Sequence, residues 1–141
     1  MLKAIKRIYL FAAIYGVLLL APMYFMESKT GIDSPPAITH PEFYYGFIGV
    51  ALAAQVMFFI ISRDPIRYKP LMIAAILEKV SFGAAAIVLL SQNRIPMNMF
   101  FGGCIDLFLM SLFIFSYLKT PDYKAENSFE NSAEPQLQES F

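Results

Sequence analysis

Three ionisable residues fall where hydrocarbon should be. Glu78 and Lys79 lie inside the apolar run 71–90, and Asp106 lies inside the run 95–118. Two carboxyls and one ammonium suffice for three kinds of chemistry. A carboxyl pair about 5 to 10 Å apart can exchange a proton with a substrate, with a neighbouring ammonium tuning both acids. The same groups can carry protons across a bilayer, or hold a bound amphiphile by hydrogen bonds. A Lys79–Asp106 ion pair can equally do no more than fix helix register. Any of these roles must offset a cost of about 2.5 to 3.5 kcal/mol for each charge at a helix centre. The large aliphatic and Phe residues of run 71–90 return roughly −5 kcal/mol on the same scale, and two charges cancel that. This helix therefore depends on partners from the others.

Depth suggests which partners. A rise of 1.5 Å per residue puts Glu78 roughly 10 Å from the cytoplasmic end of its helix and Asp106 roughly 16 Å from the outer end of its own. Gln55 and Tyr15 fall roughly 10 Å deep in the two preceding runs. The four helices thus contribute Tyr15, Gln55, Glu78, Lys79 and Asp106 to one polar layer. Successive helical positions differ by about 100°, so Glu78 and Lys79 cannot point the same way. The expected geometry turns Lys79 toward Asp106, and Glu78 toward Gln55, Tyr15, Arg63 or Arg67. Side chains lean toward the helix N-terminus, which places the carboxyls over Ala74 and Ala75 and over Gly102 and Gly103. Such small residues permit either a pocket or close helix packing, as does the Gly49/Ala53 spacing.

The elements that must position these groups follow from composition. Of 141 residues, 57% are hydrophobic and 16% charged, with zero formal net charge. Soluble domains carry about a quarter charged residues. The shortfall excludes a disordered protein, a nucleic-acid binder and an ordinary soluble enzyme. A single cysteine, Cys104, excludes an internal disulfide and a cysteine metal cluster, and a single histidine, His40, excludes a multi-histidine zinc site. With no Gly-rich phosphate loop and no His/Glu ligand spacing, no metal and no cofactor is expected. Cys104, between glycines and apolar residues, is expected to pack as a small residue.

The fold class is all-α, a four-transmembrane-helix bundle with spans 8–26, 43–62, 71–90 and 95–118 in one membrane domain, 1–118. The first span follows Lys3, Lys6 and Arg7, as a signal peptide would. Its apolar run is long for one and no small-x-small cleavage site follows, so a retained helix, ended or kinked at Pro22, is expected. Residues 119–141 hold five acids and two lysines without helical periodicity, and are expected to form a disordered acidic tail. Lys and Arg in the connections number eight on the side of both termini against two on the other, Lys29 and Arg94. That asymmetry predicts both termini in the cytoplasm. Thr39-His40-Pro41-Glu42 reads as a capping box with Thr39 as N-cap, and Asp64-Pro65 as an N-cap before a first-turn proline. Tyr44 and Tyr45 are expected at the outer interface. Arg63, Arg67 and Lys69, in the string that ends at Pro70, are candidates for anionic headgroups or a phosphate, or serve only as the topology signal.

The strings His40-Pro-Glu-Phe-Tyr-Tyr-Gly-Phe-Ile-Gly and Arg63-Asp-Pro-Ile-Arg-Tyr-Lys-Pro, with Glu78-Lys79 and an Asp in the last span, resemble a group of small four-helix bacterial membrane proteins without an assigned activity. The resemblance covers about residues 1 to 118. It implies fold and an inner-membrane, multi-pass location, and no chemistry. A looser similarity, in size and in embedded acids, is to four-helix sterol-isomerase-like and small DoxX-like proteins. The leading functional expectation is a non-catalytic binder of an apolar or amphipathic ligand, or of a membrane-protein partner, through the polar layer. The alternatives are an isomerase-like enzyme with Glu78 and Asp106 as its acid and base, and a proton-coupled transporter working as a homo-oligomer. The expected surroundings are the lipid bilayer, and no nucleic acid.

Overall fold

The computed structural model describes residues 1–123, apart from the side chain of Asn98. In order these form α1 (Leu2–Leu20), a 3-10 segment (Ala21–Phe25), α2 (Glu27–Asp33), α3 (Pro41–Arg63), α4 (Leu71–Ser91) and α5 (Met97–Lys119), with no strand among the described residues. Four are long and apolar enough to cross a membrane: α1 with its 3-10 extension, α3, α4 and α5. The protein is an all-helical, multi-pass membrane bundle.

Local chemistry accounts for most of the boundaries and for the departures from expectation. The first helix begins at Leu2 rather than at residue 8. Lys and Arg are good helix formers whose long stems reach the interface, so Lys3, Lys6 and Arg7 extend the helix. The α-helix ends at Leu20, and Pro22 sits in the first turn of the 3-10 segment that continues it. The N-cap of α3 is His40, not Thr39, and Glu42 Oε1 meets His40 Nδ1 at 2.9 Å instead of reaching back to a capping box. Pro41 is the reason: a residue before proline is held out of the helical region, so the helix begins at the proline itself. Asp64 likewise caps no helix. Its Oδ1 accepts the Arg67 amide at 3.2 Å within a turn, and α4 starts only at Leu71. Pro70 lacks the N–H needed to continue a helix from Asp64.

The short α2 was not legible from hydrophobic periodicity. It is held by Glu27 in its first turn, by the Lys29–Asp33 ion pair, and by Tyr44 and Tyr45 of α3. Tyr45 donates to Glu27 Oε2 and Tyr44 to the Met23 carbonyl, each at 2.8 Å. The expected disordered tail begins too early. Thr120 is buried and donates to the Ser116 carbonyl at 2.7 Å, and Asp122 pairs with Lys69. The remainder of that segment, 124–141, lies outside the described residues.

The bundle is two antiparallel pairs, α1 on α3 and α4 on α5. They are joined at the end that carries Leu2 and Lys119 by a core including Ile5, Tyr9, Phe58, Met72 and Phe113. Tyr9 of α1 stacks on Phe113 of α5 with centroids 4.4 Å apart, and Phe58 of α3 meets Phe113 edge-on at 5.1 Å. The Gly49/Ala53 spacing forms no helix seam, since Ala53 is exposed. The close seam lies between α4 and α5, where Gly83, Ala86 and Gly103 meet.

Lys3, Lys6, Arg7, Arg63, Arg67, Lys69 and Lys119 gather at the end that carries Leu2, the Arg63–Pro70 connection and Lys119. An enzyme reporter active only outside the cytoplasm should be silent when fused after Lys119 and active when inserted near Asp33. The reverse pattern would invert the orientation.

Candidate functional site

The polar layer divides into two places. At the first, Lys79 is buried on the face of α4 that carries Met72, Ala75, Gly83 and Ala86. Its Nζ lies 3.1 Å from Asp106 Oδ1 and 3.1 Å from Glu78 Oε2, and it donates to Glu78 Oε1 at 3.3 Å. The ammonium also stands 5.4 Å from the centre of the Phe58 ring on α3. The expected Lys79–Asp106 pairing is present. Glu78 does not turn to Gln55, Tyr15, Arg63 or Arg67; it bends along its own helix to the same ammonium. A lysine stem is long enough to bring its charge between two acids whose backbones point apart, and the nearest opposite charge wins in apolar surroundings.

Side-chain exposure grades outward across this cluster, from 9% for Lys79 to 17% for Asp106 and 29% for Glu78. The small residues near Asp106 serve close packing, not a cavity. A Cβ on Gly103 would stand 2.5 Å from Ala86 Cβ, one turn from Asp106. That approach lets a short aspartate reach across to α4. Cys104 is exposed, so it faces outward beside the seam and does not pack into it.

At the second place, Gln55 of α3 is buried against α1. Its Nε2 donates to the Ala51 carbonyl at 2.9 Å. Its Oε1 lies in the notch of Gly16, where a Cβ would come within 2.1 Å of it. That oxygen has no hydrogen-bond donor among the described residues. Gln55 is the polar member of a cleft of about 310 Å³, lined otherwise by apolar side chains including Ala13, Val17, Val56 and Phe59. Tyr15 is not part of it: half-buried, its ring stacks on Phe11 with centroids 6.2 Å apart. Equal depth did not mean a shared face.

The sequence reading missed Tyr9, whose buried hydroxyl also has no partner among the described residues. The signal was present in the stripe Ile5, Tyr9, Ala12, Gly16 and Leu20, spaced as a core-facing edge of α1. Of the three basic candidates, Arg67 and Lys69 line a second cleft at the end of the bundle, while Arg63 stacks on Phe59 at 5.8 Å. No protein-family model matches this chain, and no curated protein or solved structure gives a match.

Proposed function

We propose that this membrane protein binds a small amphipathic molecule, an apolar body bearing one hydroxyl or N–H donor, in the cleft between α1 and α3. The observation that carries the reading is the buried Gln55, the polar residue of that cleft, whose Oε1 has no donor among the described residues. A buried acceptor left unpaired costs about 1 to 3 kcal/mol, which a ligand donor would recover. The volume, about 310 Å³, suits one hydrocarbon chain or a small ring system, at the low end of small-molecule sites. The likeness of the His40–Gly49 and Arg63–Pro70 strings to small bacterial four-helix membrane proteins supports an inner-membrane setting for such a binder.

A second reading is favoured by a different observation. Two carboxyls share one ammonium at Lys79, so the cluster is neutral only with one proton or cation bound. That supports an acid/base or proton-transfer centre, with Glu78 the more exposed acid.

Native mass spectrometry of protein extracted in mild detergent tests the first reading. The wild type should carry a small lipid-like adduct. Gln55→Leu, which removes the acceptor, and Val56→Trp, which fills the cleft from its exposed rim, should each reduce it about tenfold. An adduct retained by both variants would sink the proposal. Glu78→Gln separates the two readings, because Gln keeps the hydrogen bonds but carries no exchangeable acid proton. Binding alone predicts that this variant complements a deletion strain; acid/base chemistry predicts a folded protein that does not.

A further inference from the structure

Outside the apolar bundle, the turn after α3 and the end of α5 enclose a second cleft of about 700 Å³. Ile66, in the turn before α4, and Ile73, in its first turn, supply the apolar lining. The Tyr117 ring and two cations, Arg67 and Lys69, line the cleft as well. Lys69 is held in place: its side chain is only 16% exposed, and its Nζ stands 5.1 Å from the centre of the Tyr117 ring. The Arg67 guanidinium lies 5.7 Å from the centre of the Tyr68 ring. The partner of Lys69 is not held in the same way. Asp122 reaches Nζ with Oδ1 at 2.8 Å while its own side chain is 79% exposed. A fixed, largely desolvated ammonium thus faces a carboxylate that water can readily take back.

We propose that this cleft binds the phosphate of an anionic phospholipid, with the Asp122 carboxylate occupying the phosphate position when lipid is absent. Lipid binding and the Lys69–Asp122 ion pair then exclude each other. The cleft lining of apolar, aromatic and cationic side chains suits the acyl chain, glycerol and phosphate of a phospholipid. The apolar lining at the start of a span favours a lipid over free phosphate. Basic side chains at a membrane surface attract anionic headgroups, and most of that attraction belongs to no particular geometry. Here the seated oxyanion, Asp122, marks a geometry.

The experiment places the full chain in nanodiscs of phosphatidylcholine containing phosphatidylglycerol and counts retained phosphatidylglycerol by native mass spectrometry. Lys69→Gln should lower retention about fivefold, on the scale of one basic contact with an anionic headgroup. Lys119→Gln, an exposed cation at the same end, should lower it much less. Asp122→Asn should raise retention severalfold, and that gain should vanish in the Lys69→Gln background. Equal losses for Lys69→Gln and Lys119→Gln would overturn the site in favour of general surface attraction. An Asp122→Asn gain that persists without Lys69 would do the same, because independent effects add. Inorganic phosphate that displaced the lipid completely would reassign the cleft to a free oxyanion.

Discussion

Lys79→Met is expected to lower the detergent melting temperature and folded yield more than any other single change in the charged cluster. The ammonium is the common partner of Glu78 and Asp106, each 3.1 Å from its Nζ. Removing it strands two carboxyls in apolar surroundings at once, and breaking a buried pair from one side costs about 3 to 5 kcal/mol. The acids behave differently. Asp106→Leu leaves Lys79 paired with Glu78, a neutral couple, so its loss should be distinctly smaller. Glu78→Gln leaves Lys79 paired with Asp106 and removes the excess charge, so it should melt at or above the wild type. The triple change Lys79→Met, Glu78→Gln, Asp106→Leu should recover most of what Lys79→Met loses, since no stranded charge remains. Melting curves and folded yield for these four variants give the ranking. An Asp106→Leu loss as large as that of Lys79→Met would show that Glu78 is no partner to the lysine.

The same cluster shows what a sequence can and cannot say about such a site. The four spans were legible because hydrocarbon thickness sets a length that few other segments satisfy. The Lys79–Asp106 pair was legible because each charge needed an opposite one and the spans offered few. The direction of Glu78 was not. Helical geometry fixes the angle between Glu78 and Lys79 but not the reach of a four-carbon stem, which brought the ammonium to both acids. Gln55 and Tyr15 share a counted depth but not a face, because depth is counted along one helix whereas facing depends on its neighbour. The role of Gly16 needed the partner helix: a glycine notch means little until Gln55 Oε1 is seen resting in it. The Lys69–Asp122 contact joins positions far apart in the chain, across α4 and α5, and nothing local announces it. The two clefts lie at different places in the bundle. One is an apolar slot with a single acceptor between α1 and α3, the other a cationic slot at the end of α4 and α5, and the charged cluster braces the helices between them.

That bracing rests on glycine, and Gly103→Val is expected to be the most damaging uncharged substitution in the last span. A Cβ at Gly103 would lie 2.5 Å from Ala86 Cβ, and one at Gly83 would lie 2.6 Å from the Leu107 side chain. The Gly103 clash cannot be relieved by swinging a flexible chain end, because the Ala86 Cβ is fixed by the α4 backbone, so the helices themselves must separate. Overpacking of this kind costs about 1 to 3 kcal/mol or more, and in a membrane the lost close packing is itself the force that joins the helices. Separation would also draw Asp106 away from Lys79, one turn further along the seam, and add an electrostatic loss to the steric one. The neighbouring glycine supplies the control. A Cβ at Gly102 would find its nearest atom 3.9 Å away on Phe82, so Gly102→Ala should melt with the wild type. The exchange Gly103→Ala with Ala86→Gly moves one methyl from α4 to α5 at the same contact, and should restore most of what Gly103→Ala alone removes. Crosslinking between single cysteines placed on α4 and α5 in a Cys104→Ala background reads the separation directly. Gly103→Val that crosslinks and melts as the wild type does would mean that α4 and α5 do not meet at this seam, and that Asp106 reaches Lys79 without its help.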